Sequence, residues 1–232
     1  MKNCNAPENQ TTRRILLIAC ATALAVAFTV SLPQLADADR VTPPPVPANI
    51  QVPAGNKAFL DGHAVGTQNY ICVPCPNPTT SISMCPDVSG FGWILFTPQA
   101  TLFKDNNKQV ITHFFSPNPF ENNTNQGVVA ADMIRATWRD SRDTSTVWGA
   151  TNQSSSDPAF VEPGAIAWLL LEVVGAQDGP TGGDKLTKTT FVQRLNTSGG
   201  LAPSTGCASS ADVGHQAFMP YTADYFFFTD AE

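Results

Sequence analysis

Phe191-Val-Gln-Arg-Leu-Asn-Thr-Ser-Gly-Gly200, followed by Cys207 and then by Pro220-Tyr-Thr-Ala-Asp-Tyr-Phe-Phe-Phe228, carries most of what the sequence says about fold. The first run reads as a strand ending in a Gly-Gly turn, the second as a strand dense in aromatic side chains. Outward from this pair, short runs rich in β-branched and aromatic residues recur at 64–72, 92–96, 100–104, 109–115, 136–140, 145–150, 166–175, 186–196 and 221–228. Asn-Asn, Gly-Pro and Gly-Gly breaks divide them. This spacing predicts an all-β domain, an antiparallel sandwich or barrel with long loops. The run Ala165-Ile-Ala-Trp-Leu-Leu-Leu-Glu-Val-Val174 lacks clean alternation, but its shortness and its Val-Val-Gly end favour a central strand over a buried helix. Residues 128–136 fit a short helix.

A chain of 232 residues supports one domain with its own core. Its net charge of −6, with Lys and Arg scattered, excludes a phosphate-binding surface and disfavours nucleic acid or an anionic membrane as partner. Residues 1–38 read as a signal peptide: Lys2, Arg13 and Arg14, an apolar run over 15–32, then the small-residue site Ala36-Asp37-Ala38. No stable membrane span is expected once it is removed. Thr12-Arg13-Arg14-Ile15 loosely matches a twin-arginine signal, and Leu17-Ile18-Ala19-Cys20 has the form of a lipoprotein box. Residues 39–60 form a Pro-rich leader, in which prolines deny the amide donors that a helix or ladder needs, and 61–232 form the single β domain. The expected location is secreted or periplasmic.

Cys72, Cys75, Cys85 and Cys207 remain beyond the signal. In an exported chain disulfides are the leading reading; a redox pair at Cys72-Val-Pro-Cys75 and a zinc site using Cys72, Cys75 and Cys85 are the alternatives. His113 alternates with Ile111 and Phe115, the pattern of a half-buried strand histidine, while His63 and His215 sit beside glycines in expected loops. His113 with Asp224 is the alternative metal pair, although no metal or other cofactor is favoured. Asp140 and Asp143 could serve as paired carboxylates, but the plainer reading is a turn between Trp138 and Trp148. Those two tryptophans are flanked by polar residues, and if exposed they could stack on sugar rings. Trp138, Trp148, His113, Asp224 and Arg194 are therefore the candidate ligand-binding residues. No Gly-x-Ser-x-Gly elbow is present, and Gly90-Phe-Gly92 runs into the strand pattern Trp93-Ile-Leu-Phe96 rather than a helix, which argues against a dinucleotide fold and an NAD-dependent dehydrogenase.

Gly66-Thr-Gln-Asn-Tyr-Ile-Cys72, Ala100-Thr-Leu-Phe103, Thr112-His-Phe114, Ile166-Ala-Trp-Leu-Leu-Leu171, Gln193-Arg-Leu-Asn-Thr-Ser-Gly-Gly-Leu-Ala-Pro203, Gly206-Cys207 and Pro220-Tyr-Thr-Ala-Asp-Tyr225 occur in that order. With them the chain resembles a secreted domain-of-unknown-function family whose fungal members are often mislabelled malate dehydrogenase. The resemblance implies export, one compact domain and no established reaction. It pairs Cys72 with Cys207, which leaves Cys75 with Cys85. The family pattern also brings a Gly-Pro-x-Trp soon after the His-Phe; here an insertion opening at Ser116-Pro-Asn-Pro119 separates His113 from Trp138, so a site built on that hairpin is expected to differ. The resulting expectation is a binding or surface-associated module, with extracellular glycan or cell-wall material as its partner. A metal-assisted extracellular enzyme using His113 and a structural envelope or matrix protein are the alternatives.

Overall fold

A computed structural model of the chain describes residues 41–75, 90–121 and 134–231. The signal segment, Cys85 and residues 128–133 of the expected helix lie outside the described residues. Eight strands follow one another around a closed barrel: β1 (Asn56–Pro74), β2 (Phe91–Phe103), β3 (Gln109–Pro117), β4 (Ile134–Asp140), β5 (Thr146–Ser155), β6 (Trp168–Gln177), β7 (Phe191–Gly199) and β8 (Gln216–Asp230). Every neighbouring pair is antiparallel, and β1 closes the ring by pairing along its length with β8, from Asn56 opposite Asp230 to Ile71 opposite Gln216. Of the two expected all-β forms, the barrel is the one that forms. Closure removes the unpaired edges that a sandwich must protect.

Several boundaries differ from the sequence expectation, and residues 134–136, expected to end a short helix, instead open β4, where they pair with β3. β1 begins at Asn56, within the stretch assigned to the leader. The runs at 92–96 and 100–104 are one strand, with Pro98 inside it. Pro98 is tolerated because β3 pairs only with Ala100 to Phe103 of β2, so its missing amide costs no rung to β3. There the Phe115 amide donates instead to Thr97 Oγ1, at 3.0 Å.

Alternation sends one set of side chains inward and the other outward. On β8, Tyr221, Ala223, Tyr225 and Phe227 join the inner core with Leu60, Leu102, Ile111, Trp138, Val147, Leu171 and Val192. Phe226 and Phe228 face outward, into a second cluster with Ile50, Val161, Trp168, Leu170 and Leu195. The unbroken Phe226-Phe-Phe228 run is thus a strand covered on both faces. Its outer cover is the proline segment before β1: Val41, Val46 and Val52 pack against the cluster and Ile50 is fully buried. Gln193 Nε2 donates to Ile50 O at 2.7 Å and Asn49 Nδ2 to Ser154 O at 2.7 Å. The segment is a strap, held by apolar burial worth about 2 kcal/mol for Ile50 alone and by hydrogen bonds to its own carbonyls and side chains, which proline leaves intact.

The short β2–β3 and β4–β5 turns and the β6–β7 loop gather at one end of the barrel, which Leu186 of that loop helps to plug. Asp140 Oδ1 accepts from the amides of Arg142 at 2.8 Å and Asp143 at 3.1 Å, and Lys185 Nζ stands 3.1 Å from Oδ2. Asp143 in turn accepts from Ser145 N, Ser145 Oγ and Lys185 N. Asp140 and Asp143 therefore form the turn between Trp138 and Trp148, tied to the β6–β7 loop. At the opposite end, the disulfide Cys72–Cys207 spans 135 residues and joins the end of β1 to the β7–β8 loop. Closing so long a loop stabilises by about 5 kcal/mol on the chain-entropy account. Trp93 Nε1 donates to Thr205 O at 3.0 Å and pins the same loop. Cys75 is disulfide-bonded as well.

Candidate functional site

Near the disulfide end the barrel is not filled. A cavity of ≈ 380 Å³ is lined by Gln68 and Tyr70 of β1, Pro98 of β2, His113 and Phe115 of β3, Ala136 and Trp138 of β4, Leu169 and Leu171 of β6, Arg194 of β7 and Tyr225 of β8. Gly149 of β5 makes room for the largest of these: a Cβ there would stand 2.9 Å from Trp138 Cζ3. Residues from all eight strands named above, Thr151 of β5 among them, thus meet around one hollow, which no local stretch of sequence describes.

His113 and Trp138 sit directly opposite each other across the β3–β4 register, with rings stacked at 4.6 Å and 6° apart. The two residues are in register despite the insertion that separates them in sequence. His113 Nδ1 donates to Thr137 O at 2.9 Å, because a carbonyl can only accept. Burial lowers the imidazole pKa to about 3, against the raising effect of that bond, with the Arg194 charge lowering it further. The ring is neutral at ordinary pH and its Nε2 is a bare acceptor. Such a group is too weak a base to lead general acid–base catalysis near neutrality.

Arg135, one cation of the cavity lining, is paired with Glu121; Arg194 is the other. Its Nη2 donates to Ala167 O at 2.8 Å, its buried Nε has no partner, and no carboxylate pairs with it among the described residues. Gln68 Nε2 and Trp138 Nε1 are also buried without partners. Burial raises the phenol pKa values of Tyr70, Tyr221 and Tyr225, and the guanidinium pulls all three the other way. All three phenols stay protonated around it.

The other candidates divide. Trp138 is 0% exposed and Trp148 5%, so neither offers an outer stacking face. The polar neighbours of Trp138, Thr137 and Arg139, lie on the opposite side of β4, where alternation puts them, while Trp148 has Val147 and Gly149 beside it. Trp148 points out of the barrel beneath the β3–β4 connection, donating Nε1 to Ser116 Oγ at 2.9 Å with Phe120 edge-on at 5.9 Å. Asp224 is separated from His113 by the barrel wall: Tyr225 takes the inward position, and Asp224 binds His63 Nδ1 at 2.6 Å and Asn196 Nδ2 at 2.8 Å outside. The suggested His113–Asp224 pair does not assemble. His63 lies within β1 rather than in a loop, and its Nε2 meets Asp105 at 2.8 Å. His215 is in the β7–β8 loop, 3.7 Å from Asp212. Among the described residues no group of three or more His, Cys, Asp and Glu side chains is arranged to hold a metal. The alternation Val192, Arg194 was the available signal for an arginine facing inward; Gln68 and Gly149 had none.

Fold and cavity define a closed antiparallel β-barrel with an internal pocket. The sequence pattern of the family described as "Protein of unknown function (DUF3455)" matches residues 53–229, and the chain belongs to that family. No curated protein matches. No solved structure matches either. Among the described residues no helix is long and apolar enough to cross a membrane.

Proposed function

We propose that this is an exported small-molecule-binding protein whose ligand enters the barrel at the disulfide end. One observation carries the reading: the inner core is packed at the turn end and gives way to a hollow of ≈ 380 Å³ at the other, lined mainly by apolar and aromatic side chains with a few polar groups among them. Sites for small ligands have this make-up and fall at roughly 300–1,000 Å³. The Cys72–Cys207 disulfide supports export, since such bonds persist in oxidising compartments. A glycan-binding module is the weaker reading, because its two stacking residues are buried. A metal-assisted enzyme loses its His113–Asp224 pair.

The test is titration of the oxidised protein with N-phenyl-1-naphthylamine, a neutral apolar fluorophore. Saturable binding of one molecule per chain, with energy transfer from tryptophan, is expected. Emission that rises without saturating would mean that the hollow takes no ligand.

A further inference from the structure

We infer that the natural ligand is a small monocarboxylate with an apolar body, its carboxylate facing Arg194. This rests on the reading of the barrel as a small-molecule site and names the ligand class. A guanidinium stays charged at every accessible pH, and enclosing it is costly unless an anion or water compensates it. The protein supplies no anion among the described residues. Glu121 is taken by Arg135, whose Nε and Nη2 reach its two oxygens at 2.7 Å each. The tyrosines around Arg194 stay protonated, and His113 is uncharged. Among the described residues, one positive charge in the site is therefore left without a countercharge.

The chemistry of the lining narrows the partner. Arg135 lines the pocket too, but its charge is balanced by Glu121, so no second cation is offered to a dianionic phosphate. A planar guanidinium fork matches a carboxylate geometrically. Leu95, Phe115, Ile134, Leu169 and Leu171 give the rest of the ligand an apolar bed, and the hollow, at the small end of the usual range, limits its length.

Displacement of N-phenyl-1-naphthylamine by octanoate and by octanamide, which share a chain and differ in head-group charge, separates the possibilities. Octanoate is expected to compete at least about tenfold better, and Arg194→Met to erase that preference while still binding the fluorophore. Equal competition by the two in the unaltered protein would overturn the inference and leave the small-molecule reading standing. So would a preference that survives Arg194→Met, or octyl phosphate outcompeting octanoate. If the fluorophore itself does not bind the unaltered protein, both readings fall together. The comparison of head groups in the unaltered protein decides the matter even if Arg194→Met does not fold.

Discussion

At the turn end of the barrel, Asp140 is 1% exposed, yet it is held by two backbone amides and Lys185, while Asp143 gathers Ser145 and the β6–β7 loop. At the disulfide end, Arg194, Gln68 and Trp138 each keep a buried polar atom without a partner. One barrel thus spends its buried polarity in two ways. Asp140 Oδ2 also lacks a hydrogen bond, but the Lys185 ammonium stands 3.1 Å from it as a countercharge; Arg194 has no such partner among the described residues, so polarity stabilises the first end and costs stability at the second.

The contrast is broken if removing polarity costs the same at both ends. Asp140→Ala should destabilise by about 3 kcal/mol, read as a lower midpoint in urea with an unchanged slope, because it strips charge-assisted bonds from a buried turn. His113 sharpens the contrast through pH. Its folded pKa is depressed to about 3, so its contribution is fully present above the unfolded value of 6.5 and is lost as pH falls toward 3. Between pH 6.5 and about 5, before most carboxylates titrate, the unaltered protein should lose roughly 1.5 kcal/mol more than His113→Gln, measured by urea unfolding at both values. The smallest effect is expected at Arg194. Arg194→Met should stay within about 1 kcal/mol of the unaltered protein, since removing an uncompensated charge offsets the bond lost to Ala167 O. A loss as large as that at Asp140 would make Arg194 a structural residue.

Strand content was legible because β-branched and aromatic residues recur between turn residues, Pro220 to Phe228 among them; that Phe226-Phe-Phe228 is covered on both faces shows only in the packing. Closure was not, since the pairing of β1 with β8 joins segments far apart in sequence that carry no local mark. Nor was the cover over Trp148, supplied by Phe120 just beyond the end of β3. His113 and Trp138 illustrate both sides: each was picked out as a residue, and only the register shows that the insertion between them leaves their rings stacked. The exposure expected of Trp138 failed because Thr137 and Arg139, its polar neighbours, belong to the other face of β4. Arg194 stood among the candidates, but its lack of a carboxylate is a property of the assembled cavity.

The strap bears on the order in which the chain is made. Residues 41–52 emerge ahead of every strand, yet the surface they cover is built mainly from the later strands, β5 to β8. The first strand likewise waits for the eighth. Until synthesis reaches β8, the nascent chain has a sheet with two open edges and nothing to dock its leading segment against. Contacts of such long range make folding slow and leave the incomplete chain prone to aggregation. A chain stopped after β7 should therefore be no smaller barrel but a substrate for chaperones, and the native state a property of the finished chain alone.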